Sequence, residues 1–217
     1  MDKFMKKIIL MFFCFFVCGS LFARQITVDE ILANIEKKDG SIQDLSADYT
    51  QLINYYSVDE KQTSFGDVKF QKQNNLCIVQ KKPQLQYTYI DGKKITVYVP
   101  ANNQAIVDSW KSVLKNDIIV ATMINFSKNW KQLKKTATIE LSGQTDNEYN
   151  LLIQPIKNEG WKLFVNVDKQ NYLINGTVFD NGNFSINVTL TNYRTNIKLK
   201  NSLFKFVPDQ DTEVIEL

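Results

Sequence analysis

Two runs of alternating apolar and polar residues, separated by a tight turn, constrain the fold of this chain more than any other feature. Every second residue is apolar in each run: Leu85, Tyr87 and Tyr89 in the first, then Ile95, Val97 and Val99 in the second. Asp91-Gly92 lies between the runs, and the turn sequence from Pro100 to Asn103 follows them. Alternation with a period of two, bounded by such turn residues, is typical of an antiparallel β-meander.

The same alternation recurs on both sides of this meander. Further predicted strands cover residues 45–56, 63–73, 76–80, 136–142, 148–154, 161–167, 173–179 and 183–191. We therefore predict a mainly β (α+β) fold with about ten or eleven antiparallel strands. A sheet of so many strands tends to curl and to close or half-close on itself, so the expected architecture is an open half-barrel.

Two segments have helical spacing instead. Thr27 and Glu30 form a capping box at the start of the first segment, and Gly40 ends it. The apolar residues of this segment recur at helical intervals: Val28, Ile31, Leu32 and Ile35. The second segment, residues 110–133, is predicted to be a mostly helical insertion between sheet segments. Both helices are expected to lie against one face of the sheet.

The first 23 residues have the composition of a secretory signal. Lys3, Lys6 and Lys7 form a positive region, residues 8–17 are all apolar, and Ala23 ends a cleavage-type sequence. The sequence thus predicts a signal peptide over residues 1–23 and one domain over residues 24–217. An uncleaved membrane anchor is the alternative, but the apolar run is short for a membrane span.

The cysteines leave a second alternative open at the N-terminus. Cys14 and Cys18 lie within or just after the apolar run, so only Cys77 remains in the mature chain. Gly19-Ser20 after Cys18 is typical of lipoproteins, whereas Val17 before it is larger than the residue that lipid attachment requires. A single mature cysteine excludes an intramolecular disulfide, so the predicted stability comes from packing.

Charge and histidine content narrow the function classes. Removing residues 1–23, which contain three lysines and one aspartate, leaves 23 basic and 22 acidic residues, a net charge of +1. Such a balance gives no support for nucleic acid as a partner. The chain has no histidine, which removes the commonest general base and most zinc sites. We therefore expect neither an enzyme nor a metal or cofactor site.

Five segments, in order along the chain, resemble motifs of the periplasmic lipoprotein carrier family, the LolA proteins. They are residues 46–51 (S-A-D-Y-T-Q, like an F-x-Q strand), 66–72 (G-D-V-K-F-Q-K, like G-x-L-x-V-x-R), 91–100 (from D-G to proline), 124–130 (I-N-F-S-K-N-W) and 204–208 (F-K-F-V-P, like F-x-F-x-x-P). Each motif is short, but the five occur in order and together span nearly the whole mature chain.

The resemblance implies a hydrophobic cavity inside an open half-barrel, with helices as a lid. It implies a monomeric periplasmic carrier that binds the acyl chains of lipoproteins. Its partners would be acylated lipoproteins, an inner-membrane ABC transporter that releases them, and an outer-membrane acceptor lipoprotein. An acyl chain gains about 0.8 kcal/mol per buried methylene, so transit through water requires such a container.

Mapped onto this chain, the resemblance assigns three groups of residues. The acyl-binding cavity would be lined by Val68, Phe70, Leu76, Ile78, Tyr87, Tyr89, Ile95 and Val97. The lid would carry Ile119, Met123 and Ile124. Lys72 stands where the family commonly has an arginine that holds the lid, and it keeps the charge but lacks the planar fork. Simple core packing is the other interpretation of the cavity residues, because alternation does not show whether a face is filled.

Two alternative functions are compatible with the same fold. One is a periplasmic binding protein that senses lipids or lipoproteins, although that class usually has a second domain. The other is a lipid-anchored acceptor, which would require acylation of Cys18.

Overall fold

One mixed but almost wholly antiparallel sheet dominates the computed structural model, which describes residues 26–72, 75–111, 130–157 and 159–217. The predicted signal peptide (residues 1–23, with Cys14 and Cys18) and the predicted lid residues Ile119, Met123 and Ile124 lie outside the described residues. The sheet contains twelve strands in the described part of the chain, and these are open rather than closed into a ring.

The strands take up most of the described residues. They are β1 (Asp44–Tyr55), β2 (Glu60–Gln71), β3 (Asn75–Lys82), β4 (Gln86–Asp91), β5 (Lys94–Val99), β6 (Gln104–Ser109), β7 (Ala137–Gln144), β8 (Glu148–Pro155), β9 (Lys162–Asp168), β10 (Ile174–Asp180), β11 (Phe184–Thr195) and β12 (Glu213–Glu216). Their spatial order is β12-β6-β5-β4-β3-β2-β1-β11-β10-β9-β8-β7.

Two meanders meet at the centre of this order. β1 pairs with β2 over twelve residues on one side and with β11 on the other, so the two halves of the chain are joined by long ladders. All of these pairs are antiparallel. Only β12 pairs in parallel among the described strands, along the edge of β6.

Helix α1 (Val28–Ser41) begins as the sequence predicts. The Thr27 side chain accepts a hydrogen bond from the backbone N–H of Glu30, and the Glu30 carboxylate accepts one from the Thr27 N–H. Ile31, Leu32 and Ile35 are buried on one side of the helix. Each such buried side chain contributes about 1.5–3 kcal/mol. A four-residue helix, α2 (Trp130–Leu133), precedes β7.

The buried core lies between α1 and the β7–β10 half of the sheet. The apolar stripe of α1 packs with Trp130 and with alternate residues of these strands: Ala137, Leu151, Ile153, Leu163, Val165, Val167 and Phe179. We call the side of the sheet that carries these residues the inner face. The sheet face opposite α1 is the outer face.

The C-terminal segment crosses the outer face before it forms β12. The Asp44 carboxylate, which is only 5% exposed, accepts backbone N–H bonds from Ile197, Lys198 and Leu199 at 2.7, 3.0 and 3.3 Å. Phe204 is buried farther along the segment. These contacts anchor the segment where it leaves β11.

The structure has twelve strands among the described residues where about ten or eleven were predicted, and the predicted runs include neither β6 nor β12. β12 is four residues long, mostly exposed and paired in parallel, so it lacks the alternation from which strands were predicted. The predicted helical insertion over 110–133 is present at Trp130–Leu133, and residues 112–129 of it lie outside the described residues.

Candidate functional site

An apolar cavity lies on the inner face, beneath the C-terminal half of α1. Its volume is about 280 Å³. Strands on both sides of β1 line it, together with the end of α1 and the β9–β10 turn: Ile35, Lys38, Asp39, Ile42, Leu45, Val68, Phe70, Leu76, Ile90, Trp110, Leu163, Tyr172, Leu173, Ile174, Gly176, Thr177, Val188, Leu190 and Tyr193.

One cross-strand row forms much of this wall. Leu45 on β1 pairs with Phe70 on β2, Phe70 with Leu76 on β3, and Leu76 with Ile90 on β4. Directly paired residues point to the same face of a sheet, so these four side chains stand side by side. Phe70 and Leu76 are half-buried although they face inward. A face that is apolar but only half-covered leaves room for a ligand.

Three of the eight predicted cavity residues line this cavity: Val68, Phe70 and Leu76. Ile78 and Val97 lie on the inner face in the row that contains Val68, since Val68 pairs with Ile78, Ile78 with Thr88, and Thr88 with Val97. Ile95 pairs with Ile90 and also faces inward. Ile78, Ile95 and Val97 are half-buried neighbours of the cavity on its β3–β5 side but not part of its wall.

Tyr87 and Tyr89 lie on the opposite, outer face, so their predicted place in the cavity is corrected here. Tyr87 pairs with Tyr98 and Tyr89 with Thr96, whereas Ile90 pairs with Ile95. The two tyrosines stack with ring centroids 6.1 Å apart, and Phe206 of the C-terminal segment packs 5.9 Å from Tyr89. Burial in this cluster raises the pKa of the Tyr89 hydroxyl above its ordinary value. These rings hold the C-terminal segment against the sheet.

The rest of the wall was not identified from the sequence. Ile35 and Ile42 belong to α1 and its cap, Val188 and Leu190 to β11, and Trp110 to the residues after β6. Val188 and Leu190 alternate with exposed threonines, so their inward face could be predicted. Their distance from β2 in sequence gave no indication that they line the same cavity as Phe70. Only the β1–β11 pairing brings them together.

Comparison with known proteins shows the family to which this chain belongs. The family model described as "Outer membrane lipoprotein carrier protein LolA" matches residues 40–207. The chain belongs to the LolA family. The match includes β1 to β11 and the sheet residues that line the cavity.

Relatives from two bacteria agree with this assignment. An "Outer-membrane lipoprotein carrier protein" of Francisella tularensis subsp. novicida (strain U112) is 23% identical over 215 residues, which cover 98% of each chain. One of the same description from Haemophilus influenzae (strain PittEE) is 24% identical over 212 residues, 97% of each chain.

A solved structure supports the fold alone. The crystal structure of an uncharacterized conserved protein from Thermus thermophilus superposes with a TM-score of 0.58 at 14% identity. The superposition covers 87% of this chain and 98% of that one. The two chains therefore share a fold at an identity too low to carry side-chain detail.

Lys72, which directly follows β2, contacts α1. Its Nζ donates a hydrogen bond to the Gly40 carbonyl at 2.7 Å, and its backbone N–H donates to the Gln43 carbonyl at 2.8 Å. Gly40 lies in the last turn of α1, where carbonyls lack partners within the helix and a cation is favoured. Lys72 thus joins the end of β2 to the end of the helix that covers the cavity.

Few polar groups enter the cavity. Lys38 and Asp39 lie in the last turns of α1, and the Tyr193 hydroxyl donates a hydrogen bond to the Ile174 carbonyl. Burial raises the pKa of Tyr193 far above its ordinary value, so the hydroxyl stays protonated and neutral. The wall therefore offers mainly aliphatic and aromatic carbon to a ligand.

In the described ranges, no group of three or more His, Cys, Asp or Glu side chains is arranged to hold a metal ion. Within the same residues, no helix has both the length and the hydrophobicity of a membrane span.

Proposed function

We propose that this protein is a periplasmic carrier that binds the acyl chains of lipoproteins in the inner-face cavity. It would take them from an inner-membrane ABC transporter and deliver them to an outer-membrane acceptor lipoprotein. The observation that carries the proposal is an apolar hollow, about 280 Å³ in volume, between α1 and the centre of a sheet of LolA type. It is a binding protein in this proposal, not an enzyme.

The chemistry of the wall suits hydrocarbon. Val68, Leu76, Val188 and Leu190 present methyl groups and Phe70 a ring, and none of these side chains makes a polar demand on a ligand. Each buried methylene of an acyl chain gains about 0.8 kcal/mol, so a long chain is held without a single directed hydrogen bond. Binding of this kind depends on chain length and not on the sequence of the attached protein.

Release requires that the same apolar surface can be covered in another way. The volume of about 280 Å³ lies near the lower end of the roughly 300–1,000 Å³ that small-molecule sites occupy. Cargo with several acyl chains therefore needs α1 to move outward. In this proposal α1 competes with the ligand for the inner face, the segment with Ile119, Met123 and Ile124 completes the lid, and Lys72 holds the closed state through Gly40.

A matched pair of substitutions on β3 tests the proposal. Leu76 lines the cavity, whereas Val79 lies on the outer face of the same strand, and both are half-buried. Wild type, Leu76→Lys and Val79→Lys are purified from the periplasm of the cells that encode the protein, and native mass spectrometry measures bound ligand. We expect an acylated lipoprotein on wild type and Val79→Lys, and its loss from Leu76→Lys, because a lysine charge is costly to bury in an apolar site.

Circular dichroism of each variant separates loss of ligand from loss of folding. Wild-type protein that is free of acylated ligand in the periplasm, or equal occupancy in Leu76→Lys and wild type, would contradict the proposed function.

A further inference from the structure

The turn between β9 and β10 places a tyrosine in the cavity in an unusual backbone conformation. Tyr172 has φ of +57°, in the left-handed region that glycine and asparagine tolerate and bulky side chains rarely adopt. Tyr172 and its neighbour Leu173 both line the cavity. A strained residue of this kind persists only when surrounding contacts hold it, and it commonly marks a functional site.

Five hydrogen bonds hold this turn. Asp168 Oδ1 accepts the backbone N–H of Gln170 and of Asn171 at 2.8 and 2.9 Å, and Asn171 Oδ1 accepts that of Leu173 at 2.8 Å. The N–H of Tyr172 donates to the Asp168 carbonyl, and the N–H of Asp168 donates to the Leu173 carbonyl, each at 2.9 Å. The turn is thus fixed on both sides of Tyr172.

The ring is fixed as well. Tyr172 stacks on Tyr149 of β8, with centroids 6.3 Å apart and planes 24° apart. Lys169 Nζ lies 4.9 Å from the centre of the Tyr149 ring and donates a hydrogen bond to the Thr145 carbonyl. Tyr172 is therefore a half-buried part of the wall, with contacts to both its backbone and its ring.

The position of Tyr172 along the cavity bears on the length of ligand that can fit. The wall draws residues from seven neighbouring strands, from Ile90 on β4 to Leu163 on β9. Six strand spacings of about 4.8 Å give about 29 Å along the curved sheet, the scale of a long acyl chain. Trp110, which is 4% exposed, stands at the β4–β6 end, and Tyr172 with Leu173 stands at the β9–β10 end.

We infer that Tyr172 is the specificity-determining residue that limits the length of the acyl chain this protein accepts. The inference rests on the proposed function and refines its ligand class: chains that run across the strands until they meet the Tyr172 ring.

Synthetic peptides carrying one N-terminal acyl chain of about 10 to about 22 carbons test this inference. Wild type, Tyr172→Gly and Tyr172→Phe are titrated with each peptide, and displacement of an environment-sensitive apolar dye measures affinity. For wild type we expect affinity to rise about fourfold per methylene and then level off once the chain meets the wall. In Tyr172→Gly the plateau moves to chains about two to four carbons longer, the room a half-buried aromatic side chain vacates.

Tyr172→Phe keeps the ring and should keep the wild-type plateau. Tyr172→Asn, which tolerates the same φ, provides a second ring-free variant should the glycine variant fail to fold. A plateau at the same chain length in wild type and in the ring-free variants overturns the inference while leaving the carrier function in place. Wild type that binds no acylated peptide at any length overturns the proposed function itself.

Discussion

Gly66 is the position where one added methyl group should damage the sheet most. A Cβ atom built on Gly66 would lie 1.9 Å from the Val79 carbonyl oxygen, 2.9 Å from the Val79 carbonyl carbon and 2.8 Å from Cε1 of Tyr49. Real Cβ contacts are never so short, and two of these three atoms belong to the backbone of the neighbouring strand. The β2–β3 ladder is already irregular between Phe65 and Gly66, where β3 comes close to the glycine.

Gly66→Ala must therefore move β3, the Tyr49 ring, or both. Opening the ladder around Val79 loses about two or three hydrogen bonds at about 0.5–1.5 kcal/mol each. Displacing Tyr49, which is only 8% exposed, adds about 1–3 kcal/mol for overpacking. We expect a total loss of about 3–5 kcal/mol, a large part of the roughly 5–15 kcal/mol that stabilises a typical domain.

Urea unfolding followed by tryptophan fluorescence measures this loss. With a slope of about 2 kcal/mol per molar urea, the midpoint should fall by about 1.5–2.5 M. Gly143→Ala is the matched control, because its Cβ would meet only the Asn150 side chain, at 3.7 Å. Its midpoint should change little. A Gly66→Ala midpoint as high as that of the control would refute the reasoning from close approach.

Two further predictions concern single contacts. Lys72→Leu removes the 2.7 Å hydrogen bond to the Gly40 carbonyl, so amide hydrogen exchange in the last turn of α1 should accelerate, and cargo should be taken up and released faster. Lys72→Arg should behave as wild type. Unchanged amide exchange in Lys72→Leu would exclude the role of Lys72 as a latch. The Lys81 ammonium bonds the Asp67 carboxylate at 2.7 Å and holds the pKa of that carboxyl below its ordinary 3.8. The ion pair thus stabilises the fold above pH 3.8 and loses its effect as pH falls through the lowered pKa of Asp67. Between about pH 6 and about pH 3, the urea midpoint should therefore fall more in wild type than in Asp67→Asn. An equal fall in both proteins would argue against a stabilising role of the pair.

Local sequence signals predicted the elements well. The Thr27–Glu30 capping box is present with both of its hydrogen bonds, and β1 to β5 and β7 to β11 lie within a few residues of the alternating runs. These features depend on neighbours in sequence, which the residues themselves report. β12 was missed because its place is set by the edge of β6, more than a hundred residues away.

The error at Tyr87 and Tyr89 has a specific cause. Alternation separates the two faces of one strand, but the turn decides which face of the next strand matches. The tight Asp91–Lys94 turn pairs Ile90 with Ile95, so even-numbered residues of β4 share a face with odd-numbered residues of β5. Ile90 belongs to the cavity for this reason and the tyrosines do not.

Whether the inward face of a strand is filled or hollow depends on what covers it. α1 has 14 residues, about 21 Å of helix, and is about 10 Å wide with its side chains. At about 4.8 Å per strand, that width covers two or three strands of a twelve-stranded sheet. The apolar stripe of α1 therefore fills the β7–β10 side, where Leu151, Val165 and Val167 are fully buried. Toward β1–β4 the inward residues Val68 and Leu76 are only half-covered by the described residues, and the same sequence pattern that makes a core on one side leaves a cavity on the other.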